Sequence, residues 1–393
     1  MTFDTVDLDA LREHVRELEA TYRSLLETAV NIDSGSVDAA GVNAYGDFVE
    51  AELDSRGWTV ERLACPDRDG IEVGRMLVAR REGTNPDGRR VLLLAHLDTV
   101  FELGEAARRP FSVDGTIGHG PGVSDDKSGM AAAIVAVDAL VAAGADRYAE
   151  VVLAMTPDEE LGSPSSAHLV AEVARSVDVA FCLEAARANG DLVSARKGIA
   201  DLQVTITGRA AHAGIEPEKG AHALLQASHV IQSLQELNGF RPGVTCNVGV
   251  CRGGRRPNIV PDVAVLEVDI RAWTVADFDE AMAEATRRVE VVHVEGTSSS
   301  IKILAFAPPM EKTPQVARLA EQAQAIAAAL GFEVKDAATG GAADANTVAA
   351  QGVPVLDGMA PIGGDDHALT EWLDLASVVD RVSLLAAMVA DRR

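Results

Sequence analysis

Apolar positions recur along the chain with two periods, and the order in which the periods alternate predicts the fold. Over residues 9–30 the side chains of Leu11, Val15, Leu18 and Leu25 follow a helical period. Residues 41–56 form a second helix that Gly57 ends. WTVERLA and RMLVARRE alternate as strands do, and RRVLLLAHLDTV is a buried strand, too apolar to keep a wet face. Past a loop rich in Gly and Pro, SGMAAAIVAVDALVAAG reads as a small-residue helix laid on a sheet. The strands AEVVLAMTPDEE and VDVAFCLEAA follow. Strands alternating with helices predict an α/β, doubly wound domain, a mixed sheet with helices on both faces.

Near residue 199 the pattern changes. IADLQVTITG, GVTCNVGVCRGG, VAVLEVDIRAW and SSIKILAFAP read as strands. EKGAHALLQASHVIQSLQEL and TVADFDEAMAEATRRVEVV read as helices. The order β-α-β-β-α-β is the ferredoxin-like split pattern, an α+β domain with an antiparallel sheet. The α/β pattern then resumes with the helix PQVARLAEQAQAIAAALG, the strand GVPVLDGMA and a closing helix over LTEWLDLASVVDRVSLLAAMVADR. Residues 199–309 are therefore expected as an insert in a domain made of 1–198 and 310–393. A length of 393 residues agrees with two cores, since single cores stop growing near ~250–300 residues.

Composition changes the picture in three ways. A formal charge of −25 argues against nucleic acid or an anionic membrane as partner, because both need a basic surface. The four cysteines form no CxxC pair, which predicts a reducing, cytoplasmic setting and not a disulfide framework. The acidic, amphipathic start reads as a first helix and not a signal peptide, and no apolar run approaches the ~18 residues of a membrane span.

Five places carry candidate chemistry. His96 and Asp98 lie two apart at the end of a strand, so their side chains point the same way, as suits a metal-binding imidazole and the carboxylate that orients it. In GPGVSDDKSGM, Asp125 and Asp126 are adjacent carboxylates that a cation would neutralise. In TPDEE, neighbouring Glu159 and Glu160 diverge, so that one can bind metal while the other serves as general base. Glu184 ends an apolar strand, and His367 lies in the Gly-rich GGDDHALTEW. Each has an ordinary alternative: a surface histidine, an acidic helix cap, a solvated loop, a strand-end charge, a loop histidine. Together they supply an N/O set with no thiolate, placed where a doubly wound sheet carries its site, which suits two zinc ions, with cobalt or manganese as alternatives.

The ordered set HLDT, GPGVSDDKSG, TPDEE, FCLE and the late loop histidine resembles the dinuclear-zinc aminoacylase and carboxypeptidase family. That is the family of glutamate carboxypeptidase, acetylornithine deacetylase and succinyl-diaminopimelate desuccinylase. RAAHAGIEPEKG, PNIVPDVA and TGGAADAN are most similar to the glutamate carboxypeptidase type. The resemblance implies a hydrolase of N-acyl amino acids, peptides or related small amides. Asp125 would bridge two zinc ions, His96 and Glu184 would complete one site, and Glu160 and His367 the other. Asp98 would orient His96, and Glu159 would take a proton from the bridging water and return it to the leaving amine. The peptide bond between Asp125 and Asp126 would be cis.

In the insert, His212 would polarise the scissile carbonyl from a partner subunit, with Asn258 and Arg271 gripping substrate. The same resemblance implies a homodimer through the insert, for which TCNVGVC and ADLQVTITG are the expected open edges. Two departures stand out: Ala307 before the PPM turn, where glutamate-specific members carry Arg, and Asp365 and Asp366 before the late histidine. They leave room for an N-deacylase of an amine-containing substrate. A metal-stabilised interaction module and a two-metal phosphatase or nuclease are competing readings. The full ligand set with its base disfavours the first, and the missing phosphate cradle the second.

Overall fold

The computed structural model describes residues 6–67 and 70–390. The chain divides into two compact units. One comprises Met1–Ser194, Lys312–Ala338 and Ala343–Arg393; the other comprises Ala195–Glu311 with Thr339–Ala342.

The first unit is built on a six-stranded sheet in the order Thr59–Leu63, Met76–Glu82, Glu150–Thr156, Arg90–His96, Val179–Cys182, Val355–Leu356. The first two pairings are antiparallel and the other three parallel, so the sheet is mixed. Side chains alternate between its faces. Leu93, Leu153 and Phe181 enter the main core with the helices Leu8–Glu17, Glu19–Val30, Lys127–Ala142 and Val378–Ala390. Leu92, Leu94, Val152 and Ala154 are equally buried on the opposite face. The short helices Ala167–Ala174 and Asp344–Ala349 cover it. The helix Lys127–Ala142 is made of small residues because it lies deep. A Cβ on Gly129 would stand 2.2 Å from an Asp126 carboxylate oxygen and 2.5 Å from the Leu183 carbonyl oxygen.

The second unit is a four-stranded antiparallel sheet in the order Thr245–Gly253, Val263–Ala272, Gly198–Thr207, Ser298–Ala307. Its buried face, with Leu202, Val204, Leu266 and Ile270, packs on the helices Ala223–Gln235 and Val275–Glu290. The other face carries Asp201, Gln203, Glu267 and Asp269. The carbonyls of Thr339, Gly340 and Gly341 accept, within this unit, from the Lys197 N–H, Arg271 and Arg196 respectively.

Several expectations need correction. ADLQVTITG is not an edge, because Gly198–Thr207 is paired on both sides; the edges are Thr245–Gly253 and Ser298–Ala307. Hydrophobic alternation reports a buried face but not the position of a strand in its sheet. The first helical period is two helices parted at Leu18, and each keeps its apolar stripe in the same core. The closing helix begins only at Val378. Before it, Trp372–Asp374 is a strand paired with Ile117–His119, in a small sheet with Ser112–Asp114 and Gly363–Gly364. Strands of two or three residues are too short to show a period.

Candidate metal centre

The sheet explains why distant sequence positions meet. In the parallel register His96 stands beside Thr156, and Leu94 beside Cys182. The chain leaving these strands therefore places Asp98, Glu159, Glu160 and Glu184 at the same sheet end. Asp125 precedes the helix Lys127–Ala142, and its peptide bond to Asp126 is cis, as expected.

Five of the sequence-selected side chains converge. His96 Nε2 lies 2.7 Å from Asp125 Oδ1 and 4.0 Å from Glu184 Oε1. His367 Nε2 lies 3.2 Å from Asp125 Oδ2 and 2.9 Å from Glu160 Oε2. Asp125 thus offers one oxygen to each imidazole, and each imidazole has a second carboxylate beside it. His96, Asp125 and Glu160 also present ligand atoms all within 4.8 Å of one another. His96 is buried, whereas the His367 side chain is 56% exposed on a loop with left-handed φ at both Asp365 and His367.

Asp98 is fully buried and serves more than His96. His96 Nδ1 lies 2.9 Å from the Asp98 main-chain oxygen and 3.4 Å from Oδ1. The carboxylate accepts the Glu159 N–H at 3.1 Å, the Glu160 N–H at 3.2 Å and the Ser36 hydroxyl at 2.7 Å. One buried charge therefore sets the turn that carries both glutamates. Behind that turn Asp344 accepts the hydroxyls of Thr156, at 2.6 Å, and Ser163. Burial pushes the Asp344 carboxyl up to about 6.

The electrostatics follow from carboxylates crowded at a buried place. Burial, with Glu184 alongside, holds the Glu159 carboxyl well above its usual range. Burial also raises Glu160. The imidazoles respond in the opposite sense to the negative charge. Hydrogen bonding to Asp125 and Glu160 pulls His367 up to about 11, and His96 is raised by Asp125 and Asp98 against the effect of its own burial. A site that draws protons onto both imidazoles calls for positive charge, and its two nitrogens and several carboxylate oxygens are zinc-type donors. The residues fit a divalent metal centre.

Sequence reasoning missed Glu371, which it placed in a helix. Its buried carboxylate accepts N–H bonds from Gly122, Ser124 and Asp125. A glutamate inside an apparent helix start carries no distinguishing signal.

His212, Asn258 and Arg271 belong to the second unit. His212 and Asn258 are exposed neighbours, with the Ala213 N–H donating to the Asn258 carbonyl at 3.1 Å. The Arg271 guanidinium pairs with Asp269 and donates to the Gly340 carbonyl at 2.7 Å.

The sequence profile of peptidase family M20/M25/M40 matches residues 92–391, which span His96 through His367. The chain belongs to this family. It is 32% identical over 372 residues to carboxypeptidase G2 of Pseudomonas sp. (strain RS-16), across 93% of this chain and 88% of that protein. It is 26% identical over 375 residues to succinyl-diaminopimelate desuccinylase of Delftia acidovorans, across 90% and 93%. Among solved structures, aminopeptidase PepT of Bacillus cereus superposes with a TM-score of 0.78 at 20% identity, covering 95% of this chain and 98% of that one. That likeness speaks for the fold. As a member of the M20/M25/M40 family the chain is a metal-dependent hydrolase of amide bonds. No helix among the described residues is long and apolar enough to cross a membrane.

Proposed function

We propose that the chain hydrolyses the amide bond of an N-acyl amino acid, a peptide or a related small amide, with Glu159 as general base. The observation that carries this reading is Asp125, with one oxygen facing His96 and the other facing His367. His96, Asp125 and Glu184 would hold one ion, and His367, Asp125 and Glu160 the second; zinc bound there supplies Lewis-acid activation of water and of the amide carbonyl.

The protein's part is proton transfer and positioning. Water adds to the carbonyl carbon, and Glu159 accepts the proton that the water sheds. The C–N bond breaks as Glu159 passes that proton to the departing nitrogen, which leaves an acid and an amine. A carboxyl raised by burial suits both halves of that transfer. Asp98 holds Glu159 and Glu160 by their N–H groups, so base and ligand keep a fixed relation.

His212, Asn258 and Arg271 are proposed substrate contacts, and a homodimer through the second unit is proposed to bring His212 to the partner's site. The likeness to carboxypeptidase G2 and the two free sheet edges support this. The low count of four cysteines, with no CxxC pair, supports a cytoplasmic setting, which cell fractionation tests.

A second reading is favoured by Asp365 and Asp366 beside His367. The Asp365 carboxylate accepts the Thr370 hydroxyl at 3.0 Å, and the pair adds negative charge next to a ligand. On this reading the substrate carries an amino group. The experiment is a panel of dipeptides and N-acyl amino acids offered to the zinc-loaded protein. It includes N-acyl glutamates against N-acyl diamino acids. Turnover that a chelator abolishes is expected. A metal-loaded protein that cleaves no member refutes the proposal, and preference for the glutamates refutes the second reading.

A further inference from the structure

Two loops carry ligands to the centre without belonging to the sheet: the one ending in Asp125 and the one around His367. The His367 loop has a tie of its own, since the Asp365 carboxylate accepts the Thr370 hydroxyl at 3.0 Å. His367 is 56% exposed and has φ near 65°. The Asp125 loop follows a tight path. Gly122 has φ 73°, and a Cβ there would stand 2.7 Å from the Thr99 side chain. Glu371 follows the His367 loop and bonds to the Asp125 loop. Its carboxylate, in a residue 1% exposed, accepts the Gly122 N–H on Oε2 at 2.9 Å. Oε1 accepts the N–H groups of Ser124, at 2.8 Å, and Asp125, at 3.0 Å. Successive main-chain N–H groups aimed at one carboxylate make an anion-holding concavity whose shape depends on the charge inside it.

Glu371 is also tied to the other loop. Its own N–H donates to the Ala368 carbonyl at 3.2 Å, and the Ala368 N–H donates to the Asp365 carbonyl at 3.0 Å, so two turns link it to His367. Its main-chain oxygen lies 3.1 Å from His119 Nδ1, and the next residue, Trp372, pairs with His119. One residue therefore bonds to both loops, by its side chain to the Asp125 loop and by its main chain to the His367 loop.

We infer that Glu371 is the positioning residue that locks the two ligand-bearing loops together, so that Asp125 presents one oxygen to each imidazole. The inference rests on the ligand set proposed above. Glu371 acts through the main chain of the Asp125 loop, whose N–H groups its carboxylate accepts.

The test uses Glu371→Gln, which keeps the shape and one acceptor oxygen but sets an amide NH2 against at least one of the three N–H donors. Zinc affinity is measured by chelator competition, and the metal-free protein is followed by thermal unfolding. Partners behind ligands typically alter metal affinity ~10–100-fold, and a loss of that size is expected in a protein that still unfolds cooperatively. A lowered unfolding temperature with unchanged zinc affinity and stoichiometry would mean a merely structural role and would overturn the inference. Should Glu371→Gln not fold, Glu371→Asp keeps the charge. With one methylene fewer it cannot reach all three donors, so it too is expected to bind zinc more weakly; unchanged affinity overturns the inference. Asp125→Ala separates the two levels. If that variant keeps both zinc ions, the ligand reading itself fails. If it loses them while the Glu371 variants bind normally, only the role of Glu371 fails.

Discussion

Asp98→Asn is the most informative single substitution outside the proposed ligands, because one buried carboxylate holds both Glu159, the proposed general base, and Glu160, a proposed ligand. Its oxygens accept from the Glu159 N–H, the Glu160 N–H and the Ser36 hydroxyl, and His96 Nδ1 lies 3.4 Å away. Asparagine has the same shape but only one acceptor oxygen. Whichever way the amide turns, an NH2 faces either the Glu159 N–H or the Glu160 N–H. Ser36 can rotate its hydroxyl to accept, so the cheaper arrangement sacrifices the bond to Glu160. A hydrogen bond to a charged group contributes ~1.5–3 kcal/mol, and the weakening of the remaining bonds once the charge is gone brings the loss to ~2–3 kcal/mol. At 1.4 kcal/mol per tenfold, zinc affinity falls by roughly 30–150-fold if all of it appears in metal binding. Chelator competition measures that loss. Steady-state kinetics at saturating zinc then shows a residual drop in kcat, because Glu159 hangs from the same carboxylate. Native zinc affinity together with native kcat in Asp98→Asn would refute the reasoning.

Two further predictions follow the same logic. Glu159→Ala is expected to keep its metals and lose ~10²–10⁴-fold in kcat; mixed with His212→Ala it should regain part of its turnover once subunits exchange, and no recovery despite proven exchange refutes action across a dimer. Burial lowers the Lys127 ammonium, which donates to the Ile32 carbonyl at 2.8 Å, to about 7. Between that pH and the usual lysine range near ~10.4 the unfolded chain binds the extra proton, so this residue adds stability as pH rises, by at most ~1.4 kcal/mol per pH unit. Urea unfolding of the metal-free protein should therefore show the wild type gaining on Lys127→Met across that window, and parallel curves refute the assignment.

Much of this protein is determined locally, by the chain itself. Buried strands such as Arg90–His96 announce themselves by apolar runs, and helices such as Lys127–Ala142 and Val275–Glu290 by composition and period, because both signals arise from neighbours a few residues apart. The candidate site residues His96, Asp125, Glu160, Glu184 and His367 stand out for a related reason: charged and imidazole side chains gather at the ends of apolar strands or in glycine-rich loops, and the resemblance to a metal-dependent family proposes them as ligands.

What the tertiary structure alone decided is pairing and partnership. The central place of Gly198–Thr207 in its sheet depends on which strands flank it, and its own alternation is the same at an edge or in the middle. The strand Trp372–Asp374 exists because Ile117–His119, some 250 residues earlier, and Gly363–Gly364 lie alongside it. The roles of Asp98 and Glu371 are set by the N–H groups they accept. A main-chain N–H is present at every non-proline residue and leaves no mark in a sequence; only folding determines which of them a buried carboxylate will find.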